Sequence, residues 1–319
     1  MLGVNIMATA YHVPSRVLTN DEIGTWVDTS DEWIVKRTGI SRRHISEGEN
    51  SSDLGIMVAK DLLRKTQLNP MDIDIIIVTT VTPDYMSPST ACIIQEAIGA
   101  ENAFVFDINA ACTGFVYGFS VAHKYLQSGM YKNVMLIGAE VLSRYTDWTD
   151  RGTCILFADG AGGMMLSAKE GGIYAEKLHA RGSKTITFSH HDVVNPFYKG
   201  SRDIDYIKMD GREVFEFAVK SVSENIDDLL RQAGFSVDDI DYIIPHQANG
   251  RIIEGIAKKM KLDISKFYTN IEYFGNTSSA SIPIAIDEMI RKGILKPGHK
   301  IIMSGFGGGL TWGSVLIEL

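Results

Sequence analysis

Four stretches of this chain carry residues that can do chemistry, and they lie far apart. Cys112 sits in Asp107-Ile108-Asn109-Ala110-Ala111-Cys112-Thr113-Gly114-Phe115, and His246 in Pro245-His246-Gln247-Ala248-Asn249. Asn276 sits in Gly275-Asn276-Thr277-Ser278, and the densest glycine cluster runs Gly305-Phe306-Gly307-Gly308-Gly309-Leu310-Thr311-Trp312-Gly313. A cysteine thiolate is a strong nucleophile. A glycine loop lets backbone N–H groups come close to a substrate oxygen. Alone, a His is most often a satisfied core group and Gly-Asn a turn. Together the four point to nucleophilic catalysis with a stabilised oxyanion.

These residues need elements to position them. Phe104 to Ile108 reads as a strand, followed by small residues and a segment apolar on most faces (Phe115, Val116, Phe119, Ala122, Tyr125, Leu126) that Gly129 can cap. Cys112 therefore falls at a strand-to-helix turn, where unpaired N–H groups and the helix dipole favour thiolate over thiol. Ala110, Ala111 and Gly114 leave space around the sulfur. His246 follows the apolar run Asp239 to Ile244, and ligands of open α/β sheets sit at strand carboxyl ends.

Leu2 to Ala10 reads as a first strand. Thr29-Ser30-Asp31-Glu32 fits a capping box opening a helix from Asp31 to Arg37, with Trp33 and Arg37 on one face, a flat ring beside a guanidinium that suits a nucleotide base. A helix from Ser52 to Leu68 and a turn at Asn69-Pro70 lead into an apolar strand, Asp72 to Val78. The same grammar returns as a helix from Val214 to Ala233, a turn at Gly234 and the strand Asp239 to Ile244. Asp74 and Asp241 stand 167 residues apart, and Val134 to Gly138 recurs at that offset as Ile301 to Gly305. This is the mark of an internal duplication. The same offset carries Cys112 onto Ser279, between an expected strand, Phe267 to Ile271, and a helix, Ser281 to Arg291. We therefore expect an α/β chain of two halves, 1–170 and 171–319, each a sheet covered by helices, with an irregular excursion from His179 to Asp210.

Composition narrows the class. With 319 residues, 45% hydrophobic and 22% charged, the chain is of globular type. No run approaches a membrane span and no leader pattern opens it, so a cytoplasmic protein is expected. The net charge of −8 argues against general nucleic-acid binding. Cys92, Cys112 and Cys154 have no C-x-x-C spacing, so neither a disulfide framework nor a zinc site is expected.

The four motifs, with Asp28 to Ile40 and Asp150-Arg151-Gly152, resemble the β-ketoacyl-acyl-carrier-protein synthase III family, initiating condensing enzymes of bacterial fatty-acid synthesis. The resemblance implies a thiolase-like five-layered αβαβα fold, a homodimer, and no metal or redox cofactor. It implies Cys112 as the residue acylated by acyl-coenzyme A and an oxyanion hole from the N–H groups of Cys112 and Gly308. His246 and Asn276 would then stabilise the enolate formed when malonyl-acyl carrier protein loses carbon dioxide. Coenzyme A would lie against Thr29, Trp33, Arg37 and Arg151, with Met209, Gly211, Phe215 and Asn249 along its tunnel. Gln247, Arg251 and Lys258 would meet the acidic carrier protein, Lys259 and Lys261 flanking them. In Asp84-Tyr85-Met86-Ser87-Pro88-Ser89 the acyl-pocket positions are Met86 and Ser87, small and flexible where relatives carry a bulky aromatic, which implies starters longer or more branched than acetyl.

Cys, His and Asn in this order also describe a papain-like hydrolase, but the local Cys-Gly-Ser-Cys-Trp type of signature is absent and the duplicated sheet does not suit it. A condensing enzyme of secondary metabolism is a closer alternative. A binding protein would not need the full constellation, and a thiolase or 3-hydroxy-3-methylglutaryl-CoA synthase would carry a second active-site Cys or a catalytic Glu in place of Asn276.

Overall fold

The computed structural model describes residues 2–187 and 206–319. One sheet contains β1 (Leu2–His12), β2 (Ile75–Thr79), β3 (Phe104–Ile108), β4 (Asn133–Val141) and β5 (Asp159–Glu170), in the order β1-β5-β4-β2-β3. A second contains β6 (Tyr174–Ala180), β7 (Tyr242–Pro245), β8 (Lys300–Gly307) and β9 (Thr311–Glu318), in the order β7-β8-β9-β6. β2 runs parallel to β3 and β4, and β7 parallel to β8. Every position of β2 is buried, which is why it reads as an unbroken apolar run.

The longer described helices are α1 (Asp31–Thr38), α2 (Ser51–Thr66), α3 (Thr90–Ile98), α4 (Gly114–Gln127), α5 (Gly211–Ala233), α6 (Gly250–Met260) and α7 (Ser281–Arg291). α4 and α7 lie between the sheets, with Phe115, Phe119, Ile282 and Ile286 in one core with Ile77 and Leu136 of the first sheet and Met303 and Val315 of the second. α2 and α3 cover the outer face of the first sheet, and α5 and α6 that of the second. The result is the expected αβαβα stack, with the two turns that enter α4 and α7 brought together at its centre.

Three pairs of elements repeat at the 167-residue offset. The 3₁₀ turn Pro70–Asp72 answers Val237–Asp239, Ala111–Thr113 answers Ser278–Ala280, and β4 answers β8, each pair starting 167 residues apart. Even the strained residues correspond: Ala111 has φ 46° and Ser278 φ 50°. Asp74 and Asp241 do the same work, each carboxylate accepting the N–H that starts the neighbouring strand, from Asn133 at 2.9 Å and from Lys300 at 2.7 Å.

Several boundaries differ from expectation. The two apolar strands start late because Asp72 and Asp239 belong to 3₁₀ turns. α1 is capped by Ser30, whose hydroxyl accepts from Trp33 N–H, and not by a box from Thr29. α2 runs one residue earlier at its start and stops at Thr66, since Gln67 turns left-handed at φ 57°. α4 stops at Gln127, two residues before Gly129 turns left-handed. α5 starts at Gly211 because Asp210 accepts from the N–H groups of Arg212 and Glu213. Phe267 to Ile271 is not a strand. Phe267 makes a single bridge to Ile243, and side chains replace the ladder: Asn270 N–H donates to Gln247 Oε1, and Ile271–Phe274 closes one helical turn. Of the excursion from His179 to Asp210, Ile186–Thr187 pairs with Lys208–Met209, and 188–205 lie outside the described residues.

Candidate active site

Cys112 lies in the 3₁₀ turn just before α4, below the glycine loop. Gly307 packs directly on it: a Cβ there would stand 2.9 Å from Cys112 N, so no side chain fits without movement. The expected thiolate is not what the surroundings favour. Burial pushes the Cys112 thiol up to about 12, and the nearby Glu140 carboxylate opposes a second negative charge. The helix end offers a partial charge only, while the sulfur has lost most of its water. Glu140 is itself fully buried, accepting from Val81 N–H at 3.0 Å, Thr82 at 2.9 Å and Ser279 at 2.8 Å. In the absence of substrate, alkylation of Cys112 by iodoacetamide should be slow near neutrality and rise about tenfold per pH unit. A rate already flat above about pH 7 would mean a thiol ionised by the helix after all.

His246 follows β7 and is fully buried, with Nδ1 2.7 Å from Ser281 Oγ. Burial lowers it to about 3, so the ring is neutral at physiological pH. Asn276 accepts at Oδ1 from Ser278 N–H at 2.9 Å. A backbone N–H can only donate, so this bond fixes the amide orientation and leaves the Nδ2 donors for the cavity. Cys112, His246 and Asn276 line one apolar chamber of about 60 Å³, closed by Phe306, Gly307 and Gly308. Beyond Ala111 and Gly308 opens a cavity of about 840 Å³ that reaches Tyr85 and Met86. A thiol, two neutral polar side chains and a glycine wall around an apolar chamber can form a thioester and stabilise a neighbouring oxyanion.

The remaining expected residues separate. Met209 lines the chamber, but Phe217 of α5 does so where Phe215 was expected; Phe215 turns toward Gly255 of α6. Gly211 is the exposed first residue of α5, and Asn249 caps α6 by accepting from Arg251 N–H at 2.9 Å. Gln247 is 0% exposed and its amide donates to the carbonyls of Pro245 and Tyr268, so it cannot meet a carrier protein. Arg251 and Lys258 are exposed on α6. Thr29 is half-buried with an unpartnered hydroxyl. The Arg151 guanidinium lies 4.7 Å from the Trp33 ring centroid and Arg37 5.4 Å from it, with Arg151 donating to the Asp28 carbonyl. Arg151 thus covers the ring directly and leaves no gap between them for a base in this conformation. Ser87 is exposed, as is Met86 at 79%.

Sequence reasoning passed over three polar residues that shape the chamber. Glu140 had a visible signal, an acid at the end of the apolar run Val134 to Ala139. Ser278 and Ser281 had none, because serines in Thr-Ser-Ser-Ala-Ser look alike until the fold buries them differently. Among the described residues no group of three or more His, Cys, Asp or Glu is placed to hold a metal ion. No described helix is long and apolar enough to cross a membrane.

Comparison with known proteins gives the family. The profile of 3-oxoacyl-[acyl-carrier-protein] synthase III matches residues 106–182, and the profile of that family's C-terminal part matches 230–319. The chain is 50% identical over 322 residues to β-ketoacyl-[acyl-carrier-protein] synthase III of Clostridium novyi, covering 100% of this chain and 99% of that protein. It is 48% identical to the Streptococcus mutans protein of the same name over 325 residues, covering 100% of both. The crystal structure of 3-oxoacyl-[acyl-carrier-protein] synthase III from Aquifex aeolicus superposes with a TM-score of 0.93 at 42% identity, covering 99% of this chain and 100% of that one.

Proposed function

The chain belongs to the 3-oxoacyl-[acyl-carrier-protein] synthase III family, and on that premise we propose how its residues divide the work. It is an acyltransferase that carries out the initiating condensation of fatty-acid synthesis. Cys112 attacks an acyl-coenzyme A thioester, the Cys112 and Gly308 N–H groups hold the oxyanion, and coenzyme A leaves as the thiol with the proton that the Cys112 sulfur gives up. Malonyl-acyl carrier protein then loses carbon dioxide, and the enolate oxygen rests on His246 and Asn276. The enolate carbon attacks the acyl-Cys112 carbonyl and releases the 3-oxoacyl thioester. The observation that carries this reading is the convergence of Cys112, His246 and Asn276 on one largely apolar chamber from the two halves, 1–170 and 171–319. A neutral ring suits the role, since its N–H donates to the oxyanion without placing a positive charge in the buried site.

Arg251 and Lys258 form the exposed basic face for the acidic carrier protein. A homodimer fits β3, a sheet edge beside which Phe104, Tyr125 and Tyr131 form an aromatic cluster. Trp33, with Arg37, Arg151 and Thr29, holds the nucleotide end of coenzyme A, which requires Arg151 to swing off the ring. Trp33→Ala should raise KM for acyl-coenzyme A about tenfold with kcat nearly unchanged, a loss of remote binding only. Equal KM values would remove Trp33 from the site.

Met86 lines the outer end of the larger cavity and Ser87 lies just outside its lining, so we propose starters of more than two carbons. The test is product formation from malonyl-acyl carrier protein across a panel of acyl-coenzyme A primers, read by mass of the carrier-bound product. Four- or five-carbon primers, straight or branched, should outpace acetyl. Acetyl turnover equal to or above all of them would contradict the pocket assignment, and no product from any primer would contradict the function.

A further inference from the structure

Both residues proposed to hold the enolate are contacted by the segment Ser278–Ser281. Ser278 N–H fixes the amide of Asn276, as described. Ser281, 2% exposed at the start of α7, does the corresponding work on His246.

Ser281 Oγ stands 2.7 Å from His246 Nδ1 and 2.8 Å from the Ser278 carbonyl, and it accepts from Gln247 N–H at 3.3 Å. The hydroxyl has one proton and two acceptors in reach. The Ser278 carbonyl already receives the Ser281 backbone N–H, the bond that closes the 3₁₀ turn. Nδ1 has Ser281 as the partner that the structure gives it. Two assignments satisfy these groups. With the proton donated to the Ser278 carbonyl, Oγ accepts from Gln247 N–H and from an Nδ1–H, and Nε2 presents a lone pair. With the proton given to Nδ1, Oγ accepts from Gln247 N–H, the carbonyl keeps its backbone donor, and only this second arrangement leaves a donor for the enolate. A neutral imidazole carries one proton, and with a lone pair at Nδ1 that proton is on Nε2, the nitrogen left for the chamber.

We propose that Ser281 is a positioning residue that fixes His246 as the Nε2–H tautomer, so that the ring presents a donor, and never a lone pair, to the enolate oxygen. The inference rests on the enolate-binding role of His246 given above and deepens it. It also separates the half-reactions: Ser281 touches His246 and not Cys112, so its loss should bear on decarboxylation more than on loading.

The test has two readouts. In protein carrying ¹⁵N-labelled histidine, with the His246 signals identified by their absence in His246→Gln, the wild type should show a protonated Nε2 and an unprotonated Nδ1. Ser281→Ala should lose that pattern, and the ratio of malonyl decarboxylation rate to acyl-loading rate should fall at least about tenfold. Ser281→Thr, which keeps the hydroxyl, should restore both. A wild-type ring protonated on Nδ1, or a Ser281→Ala protein in which both half-reactions fall by the same factor, would overturn the proposal. Failure of the underlying reading looks different: His246→Gln would then decarboxylate malonyl groups as fast as wild type, whatever the tautomer.

Discussion

Replacing Cys112 by serine is expected to lower condensation at least about 10³-fold while leaving the fold intact. The hydroxyl has a shorter bond to carbon and ionises far less readily than even this raised thiol. The duplication supplies the reason to expect a folded variant. Ser279 is the counterpart of Cys112 in the second half, and its 3₁₀ turn enters α7 as the first turn enters α4. A serine in this turn is thus compatible with the geometry. Near-unchanged melting with lost activity would separate chemistry from structure, whereas retained condensation would remove Cys112 from the mechanism.

The second large effect is expected at the two donors. Removing either should slow decarboxylation by about 10²- to 10³-fold, the range for one donor to a developing oxyanion. His246→Ala tests the ring, but Asn276→Asp is the sharper substitution for the amide. It keeps an oxygen to accept from Ser278 N–H, so the turn stays anchored, and it replaces the Nδ2 donors with an oxygen that repels the enolate. Asn276→Ala would also strip Ser278 N–H of its acceptor and mix stability with catalysis. Because burial keeps the ring neutral, the decarboxylation rate should show no inflection near the ordinary histidine value of 6.5. An inflection there would mean that His246 works as an imidazolium.

Much of this site was readable before the fold. Parallel strands buried on both faces write themselves as apolar runs, and Asp74 and Asp241 mark equal places in the repeat, so the offset and the pairing of Cys112 with Ser279 followed from sequence. The left-handed backbone at Ala111 and Ser278 did not, since neither residue favours positive φ; the packed centre imposes it. The rise of the thiol was equally hidden. The helix end is a local signal, but desolvation and the Glu140 charge come from tertiary packing. Phe215 and Phe217 are two positions apart on α5, and only the helix phase shows which one faces the chamber. Gln247 belongs to the motif that follows β7, yet its amide is consumed in holding the loops after β7 and before Ile271–Phe274.

The most direct test of the account is the intact mass of the protein after mixing with acyl-coenzyme A, without malonyl-acyl carrier protein. Wild type should gain the mass of one acyl group, mapped by proteolysis to the peptide containing Cys112, and Cys112→Ser should gain none. An adduct that persists in Cys112→Ser, or no adduct in wild type with any primer, would contradict the claim that Cys112 carries the acyl group.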